Sequence, residues 1–293
     1  MRSTLGTLRS PLSVALLAAS LLLVAPSSAR AADTSSDSAS GAASGTPPSV
    51  CDLAPLPSSA ALTTLRARIA SAATQKVRLL ALGSSTTYGM DLDSLSERWP
   101  DRFMQGLADR GVNASPISLG QLDPKVLSQA PGAVMVDGAV PGALAETSLA
   151  EDLPGLLASE LSGNGPTIVL HMIGANDYWL QDPPALFGTA LSATAAALDV
   201  QPVRPIQVFI STYRDPATTD PKIPWSAYSD QMRAVAAQDP THRIFLDLAP
   251  WFDAAGVPGA DPEGLLDSGG VHPSVAGQQT MADLILRALG YGC

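Results

Sequence analysis

Four short stretches of this 293-residue chain carry the residue types that chemistry needs. "LGSSTTYG" (residues 82–89) ends an apolar run with two serines. "DGAVPG" (137–142) and "GANDYW" (174–179) offer a backbone amide at Gly142 and an amide side chain at Asn176. "GGVHPS" (269–274) holds His272 late in the chain. A hydroxyl, an imidazole to take its proton, and N–H donors aimed at a developing oxyanion are the requirements of acyl transfer. On types alone either Ser84 or Ser85 could be the nucleophile, and each residue has a plainer use. The serines could form a polar turn, Asn176 could cap a helix, and Gly142 could only relieve backbone strain. His171 and His242 lie in or beside apolar runs and read as structural.

These stretches need elements that bring them together. Five short, nearly continuous apolar runs fall at 77–83, 133–138, 167–174, 205–212 and 243–249. Such runs suit strands buried on both faces of a parallel sheet. Helical patterns alternate with them, in "SERWPDRFMQGLADRG", "TSLAEDLPGLLASELSG", "PPALFGTALSATAAALDV", "WSAYSDQMRAVAAQ" and "SVAGQQTMADLILRALG". Pro154 should kink or restart the second of these, and Gly290 is a natural stop for the last. The alternation predicts a three-layer α/β/α sandwich on a mainly parallel five-stranded sheet, flavodoxin-like in plan. Ligands then bind beyond the carboxyl ends of the strands, where the serine, Gly142 and Asn176 stretches share one rim. Residues 113–132 read as a loop insertion.

Composition narrows the class. Arg2 and Arg9 precede the apolar "VALLAASLLLVA" and a small-residue "ARA" site, which predicts a signal peptide over residues 1–31 and export from the cell. Residues 32–50 are small, polar and low in complexity and read as a disordered linker, leaving 51–293 as one globular domain. The net charge of −10 becomes −13 once Arg2, Arg9 and Arg30 leave with the leader. So acidic a surface argues against nucleic acid as a partner. No integral membrane segment is expected in the mature chain, which is expected to act as a monomer. Cys51 and Cys293 stand at the two ends of the domain. In an exported chain they are expected to pair, a closure of about 5 kcal/mol in the loop-entropy model. Three scattered histidines offer no zinc spacing, so no metal is expected. The three-glycine and glycine-lysine fingerprints of nucleotide loops are missing from "GSSTTYG", and no cofactor is expected.

The four stretches, in this order, resemble the blocks of the SGNH hydrolases, the GDSL-type esterases and lipases, across essentially the whole globular part. "GSSTTYG" is similar to the block written Gly-Asp-Ser-x-Thr, with Ser84 in the aspartate's place. The resemblance makes Ser85 the nucleophile, leaving Ser84 as a turn residue that caps the following helix. It implies an oxyanion hole from the amides of Ser85 and Gly142 and the side chain of Asn176, with His272 as the base. One position departs. The family's aspartate stands three residues before the histidine, where this chain has Gly269. Asp267 is the nearest acid, and two glycines would let it bend back to His272; a backbone carbonyl is the alternative. Tyr88, Tyr178 and Trp179 are candidates to line an acyl pocket. The implied function is an exported serine esterase acting on an acyl or acetyl ester, whether a small molecule, a lipid or an acylated polysaccharide. An acyltransferase with the same site, or a non-catalytic binding module on this fold, is the alternative.

Overall fold

The computed structural model describes residues 50–52, 55–120, 123–148, 153–158, 165–212, 221–250 and 264–292, all within one compact unit spanning 46–293. The leader, nearly all of the linker, and Cys293 lie outside the described residues.

Five strands make one sheet: β1 (Lys76–Gly83), β2 (Gly132–Ala139), β3 (Ile168–Met172), β4 (Ile206–Ser211) and β5 (Arg243–Asp247). Every pairing is parallel and the order is β2-β1-β3-β4-β5. The α/β sandwich expected from the alternating runs is therefore the fold. Period-2 alternation along the strands splits the core in two. Val77, Leu79 and Ala81 of β1 face one side with Met135, Leu170 and Val208, where α1 (Ala60–Ala70), α3 (Trp99–Asp109) and α10 (Val275–Ala288) cover them. Leu80 and Leu82 face the other side with Val136 and Val169, under α6 (Leu153–Ala158) and α8 (Pro184–Asp199). Beyond β3, Phe209 of β4 packs into a third cluster between α8 and α9 (Trp225–Ala237).

Two elements differ from the sequence reading. Helix α1 was not anticipated. Its signals are Ser59, whose hydroxyl accepts from Leu62 N, and the buried Leu62, Leu65 and Ile69. Residues 113–132 are more than a loop. Ala114 and Leu119 form parallel bridges to Ala133 and Val136 on the outer side of β2, and a single turn, α4 (Pro124–Leu127), follows. The segment before α1 meets the end of α10, where Leu56 N donates to Ala288 O and Arg287 reaches Cys51 O.

Candidate active site

Strand β1 lies between β2 and β3, with Gly83 opposite Ala139 on one side and Met172 on the other. The chain leaving Gly83 must therefore emerge between the continuations of those two strands. That is the crevice where neighbouring connections leave in opposite directions, the usual ligand site of such sheets. Gly83 is required there: a Cβ would stand 2.1 Å from Thr87 Oγ1 and 2.8 Å from Met172 O. The single turn α2 (Ser85–Tyr88) then begins, with Ser85 partly exposed at its first position. Ser84 precedes it, buried and without the side-chain cap hydrogen bond expected of it.

Past β2, Val140 N donates to Gly83 O, binding this loop to the serine strand. Gly142 follows with φ +80, a left-handed backbone for which glycine is suited. Past β3, α7 (Ala175–Trp179) carries Asn176 in its first turn, and the cap position is Gly174, so Asn176 is not a cap. Its Nδ2 donates to Ala143 O at 2.9 Å, using one N–H and leaving the second to aim elsewhere. Its neighbour Asp177 accepts from Ala145 N, at the start of the short turn α5 (Ala145–Thr147), at 3.2 and 3.3 Å. Burial raises the Asp177 carboxyl to about 6. The two oxyanion candidates thus come from loops pinned to each other.

His272 closes the arrangement. Its Nε2 lies 3.0 Å from Ser85 Oγ, although 187 residues separate them. It stands on a tight hairpin in which Leu266 bridges Pro273 and Asp267 N donates to His272 O. Ser274 then caps α10 through Gly277 N.

The carboxylate at the other ring nitrogen is not the expected one. Asp91 Oδ2 is 2.7 Å from His272 Nδ1. Asp267 spends Oδ1 on the backbone amides of Val271 (3.0 Å) and His272 (3.3 Å), as a side chain bracing its own turn. Tightness is the reason: Gly270 N closes back on Asp267 O, so the carboxylate points into the hairpin. Asp91 follows the helix stop Gly89, a position readable as a turn but not as a partner for a residue 181 positions away.

The aromatic candidates divide. Tyr88 and Trp179 are 37 % and 57 % exposed, while Tyr178 is fully buried against Trp225 and Tyr228 and belongs to the core. Ser85 and Tyr88, like Asn176 and Trp179, stand three positions apart on a helical turn and share its face. His171 is structural, as expected. It stacks on Phe209 at 4.5 Å, bonds Gln207, and is lowered by burial to about 4. His242 takes part in a surface cluster with Asp239 and Arg204.

Sequence reasoning also missed Gln278, fully buried on α10. Its Oε1 accepts from Trp99 N (2.8 Å) and its Nε2 donates to Thr86 O (3.0 Å). One amide thereby joins the histidine's helix to the serine's turn.

The family model for the GDSL-like Lipase/Acylhydrolase family matches residues 81–280. The chain belongs to that family. Solved structures with the same fold include TesA, at 22 % identity and a TM-score of 0.53, over 73 % of this chain and 98 % of that one. The esterase EstA from Pseudoalteromonas sp. gives 16 % and 0.53, over 73 % and 97 %. Axe2, an acetylxylan esterase from Geobacillus stearothermophilus, gives 19 % and 0.52, over 76 % and 96 %. No curated protein sequence matches significantly.

Proposed function

We propose that this GDSL-family chain is an exported serine esterase that cleaves carboxylic esters through an acyl-enzyme on Ser85. The observation that carries the reading is the 3.0 Å contact between Ser85 Oγ and His272 Nε2, at the mouth between the loops of Gly142 and Asn176. With Nδ1 facing a carboxylate, the ring's proton sits on Nδ1 and Nε2 is the acceptor. His272 takes the Ser85 proton as the oxygen attacks the ester carbonyl. The oxyanion meets the amides of Ser85 and Gly142 and the second N–H of Asn176. The imidazolium returns its proton to the leaving alcohol, and water then cleaves the acyl-enzyme by the same steps. Tyr88 and Trp179, exposed and three positions on from Ser85 and Asn176, are the side chains placed to meet a substrate.

Export is supported by the basic, apolar and small-residue leader. Among the described residues no helix is long and apolar enough to cross a membrane, and Cys51 is not a free thiol. Pairing of Cys51 with Cys293 fits both this and the position of Cys51 beside the end of α10. Acylated sugars are reasonable substrates beside simple acyl esters, since Axe2 acts on acetylxylan and another structure of this fold is an esterase active on acetylated mannans.

The test is hydrolysis of p-nitrophenyl acetate, butyrate and palmitate by the exported protein and its variants. Ser85→Ala should abolish turnover and Ser84→Ala should keep it. Asn176→Ala should lower kcat by about 10²–10³, as loss of one oxyanion donor does. Activity that survives Ser85→Ala would refute the mechanism. No activity on any ester would favour a transferase or a binding module.

A further inference from the structure

We infer that Asp91, on the nucleophile's own loop, is the residue that orients His272 and stabilises its imidazolium, while Asp267 serves only to hold the histidine's hairpin. The inference rests on the serine-esterase reading above and assigns a role that the family's block pattern does not predict.

Four observations support this division of labour. The Nδ1 contact is made by Asp91, at 2.7 Å, the short length of a charge-assisted hydrogen bond. One carboxylate oxygen each of Asp91 and Asp267 and a ring nitrogen of His272 lie within 4.8 Å of one another, so the choice between the acids is one of direction. Direction is set by Asp267 Oδ1, which is occupied by two hairpin amides. Finally, Asp91 has φ +66, one of only two non-glycine residues with positive φ among the described residues. A left-handed aspartate costs conformational energy, and such strain persists where the surroundings over-determine it.

The loop's ends show how it is held. Gly89, φ +81, stops α2 and turns the chain, so that Asp91 comes back past the serine toward the histidine. Seven residues beyond Asp91, Arg98 is buried. It donates to Asp101 and Asp137, both at 2.5 Å, and Asp137 in turn accepts from Ala139 N at the start of the Gly142 loop. The segment carrying Asp91 is thereby tied at both ends to parts of the site. The acid therefore moves with the nucleophile, and the base comes from the other end of the chain.

As Ser85 gives up its proton, the imidazole becomes a cation whose second N–H points at Asp91. The Nδ1 proton stays on the ring, and the carboxylate lowers the energy of the pair through charge. Removing the equivalent carboxylate from a buried triad costs about 10⁴ in kcat. The Asp91 side chain is 55 % exposed, so water and salt weaken its effect, and a loss of about ten- to a hundredfold is expected.

The experiment compares Asp91→Asn, Asp91→Glu and Asp267→Asn with wild type and Ser85→Ala, in kinetics and in the far-downfield proton spectrum, where a histidine Nδ1–H bonded to a carboxylate resonates. Asparagine tolerates the left-handed backbone, so Asp91→Asn should keep the loop and the fold. Expected for Asp91→Asn are a kcat at least tenfold down, KM within about threefold, and loss of the downfield resonance, with Asp91→Glu recovering part of both. Asp267→Asn should keep the resonance and a kcat within about threefold while lowering thermal stability. The assignment is overturned if Asp91→Asn loses less than tenfold in kcat, or if the resonance and the rate vanish instead with Asp267→Asn. If Ser85→Ala is as active as wild type, the esterase reading itself has failed, an outcome separable from the others.

Discussion

Replacing Gln278 by methionine would keep the volume of a fully buried side chain and remove both of its polar functions. Trp99 N–H and Thr86 C=O, now paired with Gln278 at 2.8 and 3.0 Å, would be left without that partner in the interior. A buried group that loses its partner costs about 1–3 kcal/mol, so the two together cost up to about 6 kcal/mol. Methionine returns about 1–2 kcal/mol through apolar burial, so the net loss is about 0–5 kcal/mol, centred on about 2.5 kcal/mol. A domain stable by about 5–15 kcal/mol survives that, so the variant should fold and can be assayed. Thr86 directly follows Ser85, and Gln278 is six residues past His272, so the same change loosens the 3.0 Å contact between His272 and Ser85. Misplacement by about 1 Å costs about 10² in rate. Urea denaturation and ester hydrolysis, run where the variant is fully folded, should therefore give a lower midpoint together with a kcat reduced at least tenfold at unchanged KM. Gln278→Glu keeps the acceptor for Trp99 but sets a buried carboxylate against Thr86 C=O, and should be at least as damaging as methionine above the pH at which it ionises. A lower midpoint with wild-type kcat would refute the coupling, since Gln278 would then brace the fold without positioning the site.

Two buried titrations should oppose each other. Asp177, raised by burial from 3.8 to about 6, disfavours the fold once ionised, a cost absent below about pH 4 and complete above about pH 6, of order 3 kcal/mol. His171, lowered by burial from 6.5 to about 4, withholds a proton that the unfolded chain binds, so stability falls by a similar amount as pH drops from 6.5 toward 4. The contributions cancel in wild type. Asp177→Asn should thus become less stable as pH falls through this window and His171→Gln less stable as it rises, read as denaturant midpoints from pH 4 to 7; a flat profile in either variant would count against these assignments. If Cys51 and Cys293 pair, alkylation of the unfolded, unreduced protein should add no mass, and prior reduction should add two alkyl groups and lower the melting temperature; mass added without reduction would exclude the bridge.

The sequence alone determined much of this protein, because the physics involved is local. A strand buried on both faces has to be apolar along its whole length, so five runs declared five parallel strands wherever the structure describes them. A residue at a strand's end has to sit on the rim, so the loops of Ser85, Gly142 and Asn176 belong to one edge on sequence grounds. Helix α1 is equally legible in Ser59, Leu62, Leu65 and Ile69.

What only tertiary structure decided depends on direction and on distant pairing. Local pattern says nothing of β1 lying between β2 and β3, yet this order puts Ser85 between the loops of Gly142 and Asn176. Tyr178 and Trp179 are adjacent and alike in type. One residue of helical rotation buries the first and exposes the second. The acid at His272 is the sharpest case. Nearness in sequence favoured Asp267, but a tight hairpin turns that carboxylate onto its own amides, while a left-handed turn brings Asp91 from 181 residues away to the imidazole. A side chain's partner is set by where the backbone aims it, and that aim exists only once the loops have packed.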